Sequence, residues 1–344
     1  VRIWLAWLVV AAGGCGPAFQ SPTHGHGGGD LGVADLGAGE DLAPGAVDQL
    51  ACQLPSTPAG AEVELAAPFA PHYKAYALGK VPGVPNPLGG VIVKAGDPST
   101  LLVAGESERA TGALYAITVQ RDPCNHIIGF VGSATKVADT PYVDANLVYG
   151  PQSLLLYTGW PQFELAQLPA GATVAARTTD LRTVGMDATG DSGAGGHGFV
   201  PPAVVAAAGQ LRVVTWPAGR WYHVAATVNA GLFDISALSL AATLPNNPGG
   251  FAYVPAGSPG FAKQSIIVAE WSQSDRTQDR VAVYEADGNG DPVVATRQEF
   301  MTKFPRPWGA YFEPVTGDYL FLTWGDGDDR VYIVQGFAPP PPIF

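Results

Sequence analysis

Short apolar runs alternate with clusters of Gly, Pro and Asp along most of the chain, and the clearest unit lies near its end. Residues 308–337 open with Trp308-Gly309-Ala310-Tyr311-Phe312 and turn at Glu313-Pro314-Val315-Thr316-Gly317-Asp318. They continue through Tyr319-Leu320-Phe321-Leu322-Thr323-Trp324, an acidic loop, and Arg330-Val331-Tyr332-Ile333-Val334. Three β-branched and aromatic runs punctuated by turn residues predict an antiparallel meander. Such a sheet cannot bury both faces alone, so copies of it are expected nearby.

The copies are present. From residue 87 the pattern returns at intervals of roughly 40–60 residues, the spacing of propeller blades. First strands are expected at 88–93, 146–151, 199–207, 250–255 and 308–312. Each is followed by a more continuous apolar run ending at Glu106, Trp160, Trp216, Trp271 or Trp324. The third run of the fourth copy, Asp279-Arg280-Val281-Ala282-Val283-Tyr284, nearly repeats Asp329-Arg330-Val331-Tyr332-Ile333-Val334 of the last. The last copy lacks a fourth strand, and residues 63–81 are placed to supply it, closing a ring and removing an exposed edge. The pattern predicts an all-β chain: a single β-propeller of five four-stranded blades over residues 60–337. Room for a sixth blade remains in 60–87 or 182–198. A β-sandwich is the competing fold, but it gives no reason for this period.

Composition changes the picture mainly at the N-terminus. Only 14% of the chain is charged, with 44 Gly and 31 Pro, as short strands and tight turns require. The net charge of −12 without a basic stripe argues against nucleic acid as a partner. Residues 1–15 hold Arg2, an apolar run from Ile3 to Ala12, and Gly13-Gly14-Cys15, the pattern of a short signal peptide. Its end resembles the lipobox of bacterial lipoproteins, with Ala12 where Leu is usual, which implies acylation of Cys15. The alternative is an ordinary secretory signal. Residues 16–59 form a low-complexity acidic tether without Lys or Arg, and residues 338–344 a Pro-rich tail. Export would permit a disulfide between Cys52 and Cys124, with two free thiols as the alternative. The membrane would be reached through the lipid anchor only, in a bacterial cell envelope.

The Gly-Gly-hydrophobic openings, with turns such as Asp287-Gly288-Asn289-Gly290-Asp291-Pro292, resemble secreted bacterial β-propellers of the broad NHL and gluconolactonase-like group. The resemblance implies fold more than activity, since propellers host lyases, lactonases and binding scaffolds.

Candidate chemistry gathers at one predicted face. The loops after the second strands carry Trp160, Trp216, Trp271 and Trp324, with Trp308 and His197 near the starts of first strands. Glu106, Glu108, Glu270, Asp275, Asp279, Asp326, Asp328 and Asp329 lie in the same loops. Exposed indoles beside carboxylates suit a carbohydrate, stacking on its apolar faces and accepting its hydroxyls. Packing of each Trp as a structural repeat signature is the alternative. Asp287, Asn289 and Asp291 alternate oxygen ligands like a Ca2+ loop, but the position of the closing bidentate Glu holds Gln298. A polar turn explains the same residues. No nucleophile elbow or metalloprotease motif is present; Gly190-Asp191-Ser192-Gly193 comes nearest and lacks its strand-to-helix context. His72, His126 and His223 are scattered. No catalytic residue is assigned and no cofactor beyond Ca2+ is expected. The preferred reading is a scaffold that binds a ligand or partner, carbohydrate or protein. A metal-dependent lactonase-like hydrolase or lyase, drawing on Glu106, Asp144, Asn146 and Glu270, is the first alternative. A structural envelope protein is the second.

Overall fold

A computed structural model describes residues 52–344, except Ser274 and Asp326. The expected signal peptide with Cys15, most of the expected tether and Asp326 therefore lie outside the described residues. Strands β1 (Glu64–Leu65) and β2 (Lys74–Gly79) come first. Blade 1 follows as β3 (Leu88–Val93), β4 (Thr100–Gly105), β5 (Ala113–Arg121) and β6 (Ile127–Asp139). Blade 2 is β7 (Val143–Tyr149), β8 (Leu155–Gly159), β9 (Glu164–Leu168) and β10 (Arg177–Asp180). Blade 3 is β11 (Ala194–Phe199), β12 (Leu211–Thr215), β13 (Arg220–Asn229) and β14 (Leu232–Thr243). Blade 4 is β15 (Pro248–Tyr253), β16 (Ser265–Glu270), β17 (Arg280–Glu285) and β18 (Gln298–Lys303). Blade 5 is β19 (Pro307–Phe312), β20 (Tyr319–Thr323) and β21 (Val331–Gln335), with β2 as its outer strand.

Each blade is an antiparallel meander, and the first strands neighbour one another in the cycle β3, β7, β11, β15, β19 and back to β3. That closed cycle is a five-bladed propeller. Among the described residues there is no sixth blade: β2 completes blade 5, β1 adds a fifth strand to blade 4, and residues 182–198 hold a short 3-10 turn and the start of β11.

The second strands read as unbroken apolar runs because each blade has a neighbour on both faces. In β4, Leu101 and Val103 enter the core shared with blade 5, whereas Leu102 and Ala104 enter the core shared with blade 2. In β20, Tyr319 and Phe321 face blade 4 while Leu320 and Leu322 face blade 1. Successive side chains of a strand point to opposite faces, so a two-sided element favours apolar residues throughout; Arg212 of β12 is the buried exception, paired with Asp291.

The repeated Asp-Arg step has a structural use. The Asp329 carboxylate accepts the Leu88 N–H at 3.0 Å, and Asp279 accepts the Arg306 N–H at 3.1 Å. Each carboxylate holds the segment opening the next blade's first strand.

Ring closure is reinforced outside the sheets. Residues 57–59 pair with β2, and Cys52 is bonded to Cys124 on the β5–β6 loop, Cα to Cα 5.3 Å. His126 and Arg121 of blade 1 pair with Asp318 and Glu313 of blade 5 across the same seam. The disulfide spans 72 residues, and a bridge over a loop of that size restricts the unfolded chain enough to contribute about 2–4 kcal/mol. Cys124→Ser is expected to lower stability by that amount in urea unfolding, with no further loss when reductant is added.

Candidate functional site

The narrow axis of the ring explains the glycine pairs. Aligned through strand pairing, the second residue of the five first strands is Gly89, Asp144, Gly195, Gly249 and Trp308, and the third is Gly90, Ala145, Gly196, Gly250 and Gly309. A Cβ on Gly309 would lie 2.4 Å from the Gly89 carbonyl, and one on Gly250 2.5 Å from that of Trp308. Backbones meet at the axis, so only two blades carry a side chain at the second position. These two are Asp144 and Trp308.

Every first strand has a bulge near its start, and that of β7 is one residue longer. Three residues lie between Val143 and Leu147 opposite the single residue between Gly159 and Tyr157, where the other blades have two. The extra residue brings Asn146 into the axis. Its amide donates to the carbonyls of Phe251 and Ala310 and accepts the Phe251 N–H, each at 3.1 Å. It ties blades 2, 4 and 5 together midway along the channel.

At one end of the axis the tryptophans converge. Trp216 stacks on Trp271 with ring centres 5.1 Å apart, and both meet Trp308 nearly edge-on at 5.5 and 5.3 Å. Trp160 joins through Trp216 and Trp324 through Trp271. The second-strand ends thus share one face, as the sequence pattern predicts, but the open indole surface expected there is absent at three positions. Trp216, Trp271 and Trp308 are buried, and only Trp160 and Trp324 keep a half-buried edge. With five blades the axis is narrow enough for the rings to bury one another, so they form a cap over the channel.

Blade 1 breaks the cap, because Glu106 stands where the other blades have Trp. Asp144 and Glu108 occupy the gap. Asp144 is wholly buried, and neither carboxylate oxygen closes a hydrogen bond of normal geometry, although the Ala145 N–H lies beside it. One oxygen of Glu108 and the indole nitrogens of Trp160, Trp216, Trp308 and Trp324 are also buried without such a bond. The Trp308 indole faces Asp144 without closing a hydrogen bond of normal geometry. Burial pushes the Glu108 carboxyl up to about 8, and burial with the nearby Glu108 charge pushes Asp144 well above the usual carboxylate range. Both acids are therefore held largely neutral at neutral pH.

This gives a pH signature. Glu108 titrates at about 8 when folded and ordinarily near 4.5. Its contribution is complete below the lower value and is lost as pH rises through the higher one. His197, pushed down to about 4 from 6.5 by burial, acts in the opposite sense. Its contribution is complete above the higher value and is lost as pH falls through the lower. Melting temperature should decline from about pH 6.5 to about pH 8.5, and Glu108→Gln should flatten that decline. Calorimetry over this range checks it; an unchanged slope would count against the buried-acid assignment.

The other expected site residues are engaged elsewhere. Glu270 is buried and paired with Arg297 at 2.5 Å, and also accepts from the Tyr284 hydroxyl and the Asn246 amide. His197 lies between blades 2 and 3, donating from Nε2 to the Leu156 carbonyl. Asp275 caps a 3-10 turn, and Asp328 pairs with Lys80 and Arg330 on the surface. Asp287, Asn289 and Asp291 do not present a joint set of ligands. Asp287 accepts the N–H groups of Asn289 and Asp291, while the Asp291 carboxylate turns to Arg212, Trp221 and His223. Those contacts are those of a polar turn fastened to blade 3.

No family model and no curated protein matches the chain. Solved structures to which it is similar include a gluconolactonase from Xanthomonas campestris, at 13% identity over 81% of this chain and 96% of that one, TM-score 0.44. Another is a luciferin-regenerating enzyme at 13% identity, over 86% and 98%, TM-score 0.43. An auxiliary nutrient binding protein from Bacteroides ovatus matches at 10% identity, over 77% and 76%, TM-score 0.42. The propeller assignment stands on the strand pairing above, and no residue role is taken from these likenesses.

Proposed function

We propose that the chain is an exported binding scaffold that takes a small hydroxyl-rich ligand, of the carbohydrate class, at the acid-bearing gap of the tryptophan cap. One observation carries the reading. Asp144 Oδ1 and Oδ2, Glu108 Oε1 and four indole nitrogens of the cap are buried without a hydrogen bond of normal geometry, although the Trp308 indole and the Ala145 N–H face the Asp144 carboxyl. A buried polar group left unpaired costs about 1–3 kcal/mol. Leaving aside the Trp308 nitrogen and the Asp144 oxygen that face each other, the remaining five atoms would cost on the order of 10 kcal/mol, comparable with the whole net stability of a domain. Partners from outside the chain would relieve that cost, water among them when no ligand is bound. Hydroxyl groups suit both halves of the set, accepting from indole N–H and donating to carboxyl oxygens. Trp160 and Trp324, the half-buried members, form the way in. The Cys52–Cys124 bond supports export, because such bonds persist in oxidising compartments. Acylation of Cys15 and attachment to the envelope belong to the same proposal, and mass spectrometry of the mature protein tests them.

Asp144→Leu separates this role from a structural one. Removing a buried carboxyl without a well-formed hydrogen bond is expected to leave stability equal or higher, while thermal shifts given to the parent protein by a saccharide panel disappear. Equal shifts in parent and variant, or none with the parent, would remove the proposal.

Lactone hydrolysis is the second reading, supported by the Glu108 carboxyl poised near pH 8 beside Asp144. The residues do not fit a divalent metal set, since Asn146 and Glu270 are committed to the contacts above. Any hydrolysis would rest on Glu108 and Asp144 as proton-transfer groups. It should follow the same titration and be lost in Glu108→Gln.

A further inference from the structure

The opposite end of the ring is built differently. There the first strands finish at Val93, Tyr149, Phe199, Tyr253 and Phe312, and their ends splay around a cavity of about 770 Å³. This falls within the range of roughly 300–1,000 Å³ occupied by small-molecule sites. Its walls include Tyr149, Phe199, Phe251, Tyr253, Tyr311 and Phe312, with Asn146 at the floor. The Asn146 amide is spent on backbone groups, so the floor offers a ligand neither charge nor a free amide. Among the described residues of the lining, Lys94 and Asp97 are the charged ones; they pair with each other at 3.6 Å, Lys94 exposed and Asp97 half-buried.

Two details narrow what the cavity accepts. Residues 340–344 cross one side of it, and the Phe344 ring meets Phe199 edge-on at 4.8 Å. The wall thus already receives an aromatic ring, supplied by the chain's own tail, while most of the volume stays open. The Tyr149 hydroxyl accepts the Ala95 N–H at 3.1 Å, which leaves its own hydrogen to donate. The Tyr253 hydroxyl is committed to the Gly290 carbonyl.

We propose that this bowl is a second binding site, for an uncharged aromatic small molecule carrying one hydrogen-bond acceptor, with the 340–344 tail as its fourth wall. Burial of ring surface supplies the affinity, and Tyr149 orients the acceptor. The site shares no side chain with the tryptophan cap, being separated from it by the Asn146 tie, and does not depend on the function proposed above.

6-Propionyl-2-(dimethylamino)naphthalene, an uncharged aromatic ketone whose emission shifts to the blue in apolar surroundings, is a suitable probe for the full chain. Saturable binding of one probe per chain is expected. Phe199→Asp should weaken it about tenfold or more by placing a charge in the wall. Pro341→Asp, at an exposed tail position where folding is not at stake, should weaken it about threefold. Asp144→Leu should leave it unchanged. Absence of saturation, parent-like binding in Pro341→Asp, or loss of binding in Asp144→Leu would each overturn the proposal. The last would place the probe at the other end.

Discussion

Asn146→Leu is expected to destabilise the folded chain by about 3 kcal/mol or more, although the two side chains have the same number of heavy atoms and the same branching. Leu cannot replace any of the three hydrogen bonds to Phe251 and Ala310. It also fills the space that water would need to replace them, so three backbone groups stay buried and unpaired at about 1–3 kcal/mol each. Asn146→Ala should cost less, because the vacated space opens toward the bowl and admits water to the same groups. The order Leu worse than Ala reverses what burial of apolar area alone would give. Urea unfolding of the three proteins checks it. A Leu variant within about 1 kcal/mol of the parent would show that the tie is dispensable.

Trp308→Ala should be comparably severe, at about 3–5 kcal/mol, the usual cost of deleting a large buried aromatic side chain. Trp308 is fully buried and touches Trp216, Trp271 and Trp324 at ring separations of 5.3–5.8 Å. Gly249 leaves room for it, since a Cβ there would lie 3.0 Å from the indole. The half-buried Trp160 makes the contrast: its truncation should cost at most about 1–2 kcal/mol. Near-ultraviolet circular dichroism should lose its indole coupling signal in Trp308→Ala and keep most of it in Trp160→Ala. Equal costs would mean that the five rings do not form a cap with Trp308 at its centre.

How much of this could be read from residues alone differs between fold and site. Blade structure is legible because it rests on local rules. Turn residues bound the runs, and a blade flanked on both faces needs unbroken apolar second strands such as residues 101–104 and 319–322. The position shared by Trp160, Trp216, Trp271 and Trp324 is legible for the same reason, since it follows one strand end in four copies. The need for a closing strand from residues 63–81 follows from the incomplete last copy.

Exposure of those tryptophans is not legible. It depends on the width of the axis, which depends on blade number and on Gly89, Gly195, Gly249 and Gly309 letting backbones approach. Only when the ring is assembled does Trp308 fall among the other four indoles. Asp144 and Glu108 do not stand out from the other loop acids in the sequence, because their distinction is burial without a well-formed hydrogen bond, a property of the packed ring. Conversely, Glu270 looks like a free carboxylate until Arg297, 27 residues later, is seen beside it. The single extra residue that places Asn146 on the axis is visible as Asn146-Leu147 in the sequence, yet its consequence needs the strand register. The apolar bowl draws on five blades and the tail, and no contiguous stretch reports it.

The most direct test of the central claim, that the tryptophan cap encloses a polar guest, is a crystal structure of the parent protein resolving ordered water and ligand. Density is expected within hydrogen-bonding distance of Asp144 and of the Trp216 and Trp308 indole nitrogens, replaced by hydroxyls of a bound saccharide after soaking. A cap in which these carboxyl and indole groups pair only with one another, with nothing between them, would contradict it.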